Sequence, residues 1–327
     1  MTNLKDKLSA SELANLWKVY MIENLLIPIK IPMLNSCNDE EIKSIISLAL
    51  EISKKYVQKI ANLYKTINHA IPKGFPEQDH MNNHAPALFT DNFYLYYLNE
   101  MAKLGFRTLP QAIEQTENKQ VLKIWYEAFE DYKELYTKSS ELLTTRNLFP
   151  EPPKLPIPQK IDFIKDKQYL GNWVGKQRPL NAEEVLRVHG TAYRNEISKT
   201  LLTGLSKVTK DEEIKKYLER GIKNANQIIG DMHQILINEN LEPPPPLHHE
   251  ILDSTVSPYS EKLILVHVAQ MGSGAIGIYG SDLASIFRKD IGLKFMKMIA
   301  EALLYGETGM DLLIKRGWIE SPPQNKR

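Results

Sequence analysis

Four polar side chains in the second half of the chain have the types and spacing for metal chemistry: His189, His233, His267 and Glu307. His267 sits on an apolar stripe with Leu263 and Met271 at i, i+4 and i+8, which is one face of a helix. His189 shares the face of Val185 and Ala192, and Glu307 that of Leu303, Met310 and Ile314, while Ile229, Met232 and Leu236 leave His233 at the edge of its stripe. At about 1.5 Å of rise per residue, the distances of these four from their helix ends bring them to a common level of a bundle. Three imidazoles and a carboxylate suit zinc, iron, manganese or copper, and an open position would admit oxygen or peroxide chemistry, with Glu196 as a nearby acid or base. The alternative is that these are core residues that fix helix register in a non-catalytic structural or interaction protein. Side chains that point apart, or that stand more than about 8 Å from one another, would end the metal reading, because ligand bonds are near 2 Å.

Other constellations carry less. The Glu-x-x-His pair of Glu77 and His80 falls in a proline-flanked loop, which disfavours the usual di-iron bundle site. His69, His80, His84, His248 and His249 lie in loops and read as solvated. Gly272-x-Gly274-x-x-Gly277 follows no strand, so no nucleotide cofactor is expected. In the first half Glu100 stands in the place of His267, with Tyr20, Tyr136 or Lys133 able to satisfy it. Cys37 is the single cysteine, which excludes an internal disulfide and a thiolate metal site.

The elements that must hold these residues come from a repeat. Asp39-Glu40-Glu41-Ile42-Lys43 recurs as Asp211-Glu212-Glu213-Ile214-Lys215, and Met101-Ala102-Lys103-Leu104-Gly105 answers to Val268-Ala269-Gln270-Met271-Gly272. Leu122-Lys123-Ile124-Trp125 answers to Leu293-Lys294-Phe295-Met296, and Arg146 to Pro153 answers to Arg316 to Pro323, all in the same order. The chain therefore reads as an internal duplication. Helices are expected near 9–35, 39–68, 91–113 and 118–146, and again near 182–205, 211–240, 258–287 and 290–316. Ser9 or Ser11, Asp39 and Asn181 are the candidate N-caps, and Pro28 and Pro32 should kink the first helix or end it early.

A long loop separates the second and third helices of each half, at 69–90 and 241–257, which is the connection of a ferritin-like bundle. The fold expected is all-α, two tandem ferritin-like four-helix bundles at 1–153 and 181–327, with 154–180 as a linker packed through Phe163, Tyr169 and Trp173. With 327 residues, two cores are the natural expectation. Lys plus Arg (41) nearly cancels Asp plus Glu (40), so a nucleic-acid partner is not expected. No signal core or membrane span is evident, and a reducing cytoplasmic setting fits the lone cysteine.

The duplicated layout, the Asp-Glu-Glu-Ile helix starts, Tyr279-Gly280, Arg288-Lys289-Asp290 and the closing Gly317-Trp318-Ile319-Glu320-Ser321-Pro322-Pro323 resemble the domain-of-unknown-function family 3231 of spore-forming Firmicutes. The resemblance spans nearly the whole chain. It implies two ferritin-like bundles in one chain, a cytoplasmic or spore-associated setting and a metal site inside a bundle; a homo-oligomer or spore-protein partners are a separate expectation. That family's pattern includes a histidine on the second helix where this chain has Ile228, so ligands on that helix do not carry over.

Overall fold

The computed structural model describes residues 8–173, 175 and 177–325. The long helices are α1 (Ala10–Ser36), α2 (Glu40–Thr66), α4 (Asp91–Glu114), α5 (Lys119–Thr145), α6 (Ala182–Val208), α7 (Glu212–Asn238), α8 (Glu261–Leu283) and α9 (Lys289–Lys315); a single turn, α3 (Glu77–His80), lies in the first long loop. No strand forms among the described residues, and one isolated antiparallel bridge joins Met81 and Tyr259. The protein is all-α and duplicated, with one long connection between the helix pairs of each half.

Side-chain caps explain where these helices begin. Ser9 and Asn181 open α1 and α6 with capping boxes closed by Glu12 and Glu184. Asp39 and Asp211 each accept two backbone N–H groups at the starts of α2 and α7, and the Thr90 and Ser260 hydroxyls accept those of Phe93 and Leu263. The ends match as well: Asn68 and Asn240 take left-handed φ after α2 and α7, as Asn147 and Gly317 do after α5 and α9.

Of the two outcomes expected of Pro28 and Pro32, an early end does not occur, since the helix continues through both to Ser36, close to the expected bounds. An interior proline costs about 3 kcal/mol, but Leu25, Leu26, Ile27, Ile29 and Met33 around the two are all buried. Burial of large aliphatic side chains at roughly 1.5–3 kcal/mol each outweighs that cost.

By spatial contact the chain forms two compact units, Met1–Phe149 with Leu252–Ile264 and Gly317–Arg327, and Pro150–Ile251 with Leu265–Arg316. In the first unit, Leu16 and Ile29 of α1, Tyr56 and Ile60 of α2, Phe93 and Tyr97 of α4 and Trp125 of α5 are fully or almost fully buried. Segment 252–264 joins that unit through backbone bonds from Leu252 to Leu88, Asn82 to Pro258 and Ser260 to His80. The tail joins it where the Glu320 carboxylate accepts the N–H groups of Lys73 and Gly74. Gly74 has a φ of +62°, and a Cβ there would stand 2.2 Å from Asn24 Oδ1, so only glycine fits the turn.

In the second unit Val185, Val188 and Ala192 of α6, Met232 and Leu236 of α7, Tyr279 of α8 and Ile291, Phe295 and Met298 of α9 form one core. Leu155 and Leu180 from the segment before α6 pack on or within it. Tyr169 of that segment meets Phe287 edge-on and lies under the Arg178 guanidinium, but Phe163 and Trp173, expected to pack, are exposed.

Candidate functional site

The four residues proposed from sequence fall into different surroundings. His189 on α6 and His233 on α7 are close enough for their charges to interact. Burial, with the His233 ring second, pushes His189 down to about 4. His233 is lowered by burial, Glu196 opposing, and its Nε2 is buried with no hydrogen-bond partner. His267 on α8 is buried and pushed down to about 4 by burial. Glu307 is exposed on α9. It does share the face of Leu303, Met310 and Ile314, yet those three are exposed too, and the inward face of α9 carries Ile291, Phe295, Met298, Tyr305 and Leu313. Among the described residues no three or more His, Cys, Asp or Glu side chains are grouped so that they could hold a metal.

Glu196 is held in a structural role. It pairs with Lys199 at 2.7 Å and accepts the Leu247 N–H of the crossing loop. Its counterpart in the first half, Asn24, accepts the Phe75 N–H of the equivalent loop. Glu100 pairs with Lys103 at 2.6 Å and not with Tyr20, Tyr136 or Lys133. Counted from the caps Thr90 and Ser260, the residue in the place of His267 is Tyr97, fully buried on α4. Of the loop histidines, His80 is buried and bonds Ser260 through Nδ1 at 2.8 Å, and His69 stacks on Tyr64.

The least ordinary polar cluster lies in the first unit, and the sequence reading did not single it out. Lys30, 2 % exposed, donates to Ala49 O at 2.9 Å and to Ser53 Oγ at 2.7 Å. Ser53 donates onward to Glu23 Oε2 at 2.5 Å, and the Tyr132 hydroxyl donates to Glu23 Oε1. Burial draws the Lys30 ammonium down to about 8, with Glu23 opposing, and burial next to Glu23 raises Tyr132 far above the usual phenol range. The signal in sequence was a lysine inside an otherwise apolar run, 25–33, seven residues after a glutamate on the same helix face.

The matching positions of the second unit hold Asn195, Leu202, Ala225 and Ala302, so this cluster belongs to one half alone. Other buried polar groups are repeated. Glu12 accepts the N–H groups of Glu117 and Asn118, as Glu184 accepts those of Phe287 and Arg288. Burial raises both carboxyls, and the donors more than offset it, so both are held below the usual range. Arg146 grips Asp39 and Glu41, and Arg316 grips Asp211 and Glu213.

The outer faces of the last helices differ as sharply. On α9, Leu293, Met296, Leu303, Met310 and Ile314 are between 41 % and 60 % exposed. Counted from the helix starts Lys119 and Lys289, which shift the sequence match of Leu122 with Leu293 by one residue, the same positions of α5 hold Lys123, Tyr126, Lys133, Ser140 and Thr144. Two surface depressions, one between α1 and α2 at Leu34 and Lys43 and one along 162–178, are lined neither by Glu23, Lys30, Ser53 and Tyr132 nor by the buried histidines. Among the described residues one helix, α8, is long and apolar enough to cross a membrane by length and composition, and 44 % of its most apolar stretch is buried within the protein.

Duplicated helical units with capped starts and polar residues set inside them define the class. The profile of the DUF3231 family, described as a protein of unknown function, matches residues 1–161 and again 168–327. The chain belongs to that family. No curated protein matches. Among solved structures, a presumed spore coat protein of Bacillus halodurans is similar at 16 % identity and a TM-score of 0.43, over 46 % of this chain and 98 % of that one.

Proposed function

We propose that this protein is a non-catalytic interaction scaffold whose working surface is the outer face of α9. One observation carries this reading: α9 exposes an apolar stripe where its repeat partner α5, the same length and in the same place in the repeat, exposes lysine, glutamate and hydroxyl side chains. Exposed apolar side chains that follow one another along one helix face, and are not scattered singly, mark a site of association. Glu23, Lys30 and Ser53 inside the first unit are engaged with one another and Glu196 of the second with loop backbone, which suits them to holding the scaffold. Affinity capture with the full chain tests the reading. Leu303→Asp should lose the bound partner while Lys133→Asp at the equivalent place on α5 keeps it, and equal capture by both variants would reject it. The setting proposed is the sporulating cell, as the family resemblance implies; unchanged abundance between sporulating and non-sporulating cultures would count against that setting.

A second reading, a zinc, iron or manganese ion in the second unit, is supported by the nearness of His189 and His233, close enough for their charges to interact, and by the unpartnered Nε2 of His233. Dialysis against each metal followed by elemental analysis should then show metal retained by the native chain and lost by His233→Ala. Retention of none would end this reading.

A further inference from the structure

We propose that the occupant of the α9 face is a second copy of this chain, with the two α9 helices antiparallel; this rests on the scaffold reading and names its partner. Leu293, Met296, Ala300, Leu303, Glu307, Met310 and Ile314 follow one another at alternating steps of three and four residues. That is the seam of a two-helix coiled coil, held here over three heptads and roughly 30 Å. All seven positions are exposed. A seam of this kind is self-complementary, which is what a two-fold interface between identical chains requires.

Glu307 sets the direction. In a parallel pair the two Glu307 carboxylates would face each other inside an apolar seam, where like charges are strongly disfavoured. In an antiparallel pair Glu307 meets the first half of the other α9, where Lys297 is exposed beside Met296. Within one chain Glu307 and Lys297 are ten residues apart, about 15 Å along the helix, too far to pair. Any coupling between them therefore reports contact between chains. The repeat supplies the control: α5 has Glu130 and Lys133 where α9 has Ala300 and Leu303, and it has no such seam. A single three-heptad seam is short beside a standard interface of roughly 800 Å² per partner, which places the dimer among weak associations, sought in the micromolar range.

Sedimentation equilibrium of the full chain, across concentrations below and above that range, tests the proposal. The native chain should pass from the mass of one chain to that of two. Leu303→Asp should stay at one chain with its helical circular dichroism unchanged. Glu307→Lys and Lys297→Glu should each weaken the dimer by about tenfold, and the double variant should return to within about threefold of native. A native chain that remains monomeric throughout, or a double variant no better than the worse single one, overturns the proposal. A monomeric chain that still loses a cellular partner on Leu303→Asp also overturns it, while leaving the scaffold reading in place.

Discussion

The two halves of this chain are alike where a helix starts, ends or receives a loop, and unlike where a bundle could do something more. Glu12 and Glu184, Asp39–Arg146 and Asp211–Arg316, and Asn24 and Glu196 do the same work in each unit. By contrast, Glu23, Lys30, Ser53 and Tyr132 meet inside the first unit where the second holds Asn195, Leu202, Ala225 and Ala302. The second unit instead buries His189 and His267 and turns an apolar stripe outward on α9. What is repeated is the framework, and what has diverged is where function is to be sought.

The largest expected effect comes from breaking the cluster of the first unit. Lys30→Leu alone leaves the Glu23 carboxylate buried without its cation and should cost about 3–5 kcal/mol. Adding Glu23→Asn, which copies the second unit, should recover most of that loss in thermal unfolding. If the double variant is no more stable than the single, the cluster is not a closed unit and the comparison of the two interiors fails.

Next in size is a pH effect that separates the units. His189 and His267 are pushed from an ordinary value near 6.5 to about 4, so the unfolded chain binds protons first as pH falls. Their neutral burial contributes fully above about pH 6.5 and is lost between there and about pH 4, on the order of 3 kcal/mol per histidine. Lys30, drawn from 10.5 to about 8, behaves in the opposite range: its burial penalty is complete below pH 8 and eases as pH rises towards 10. Hydrogen exchange should therefore show α6 and α8 loosening first at pH 5 and α1 tightening between pH 8 and 10. Equal loss in both units at pH 5 would contradict this.

A smaller effect is expected at the repeated carboxylates. Glu12→Gln and Glu184→Gln should each cost about 1–3 kcal/mol through weakened bonds to backbone N–H. The Glu184 change should be the larger, because Glu184 also holds Arg178 through both oxygens. A reversed order in calorimetry would show that the Arg178 pairing adds nothing to the Glu184 cap.

Much of the architecture was legible because caps leave a signature: Ser9, Asp39, Asn181 and Asp211 each stand before a helix and each cap it. The prolines of α1 were misleading, since local propensity says nothing of the burial around them. The sites were harder to read for two reasons. Helix α9 carries two apolar stripes, and sequence alone does not say which faces inward, so Glu307 was placed inside with Leu303 and Met310 when all three are exposed. The match of Met101-Ala102-Lys103-Leu104-Gly105 to Val268-Ala269-Gln270-Met271-Gly272 then set Glu100 against His267, whereas the caps set Tyr97 there.

The smallest expected change in stability belongs to the variant that matters most. Giving α9 the outer face of α5, by Leu293→Lys, Met296→Tyr, Leu303→Lys, Met310→Ser and Ile314→Thr together, tests whether that face serves partners or the fold. Calorimetry of this variant in dilute solution should find its unfolding free energy within about 1 kcal/mol of the native chain, as for exposed positions. A loss of more than about 3 kcal/mol, the cost of removing buried aliphatic side chains, would show that the stripe belongs to the folding core and would contradict the account.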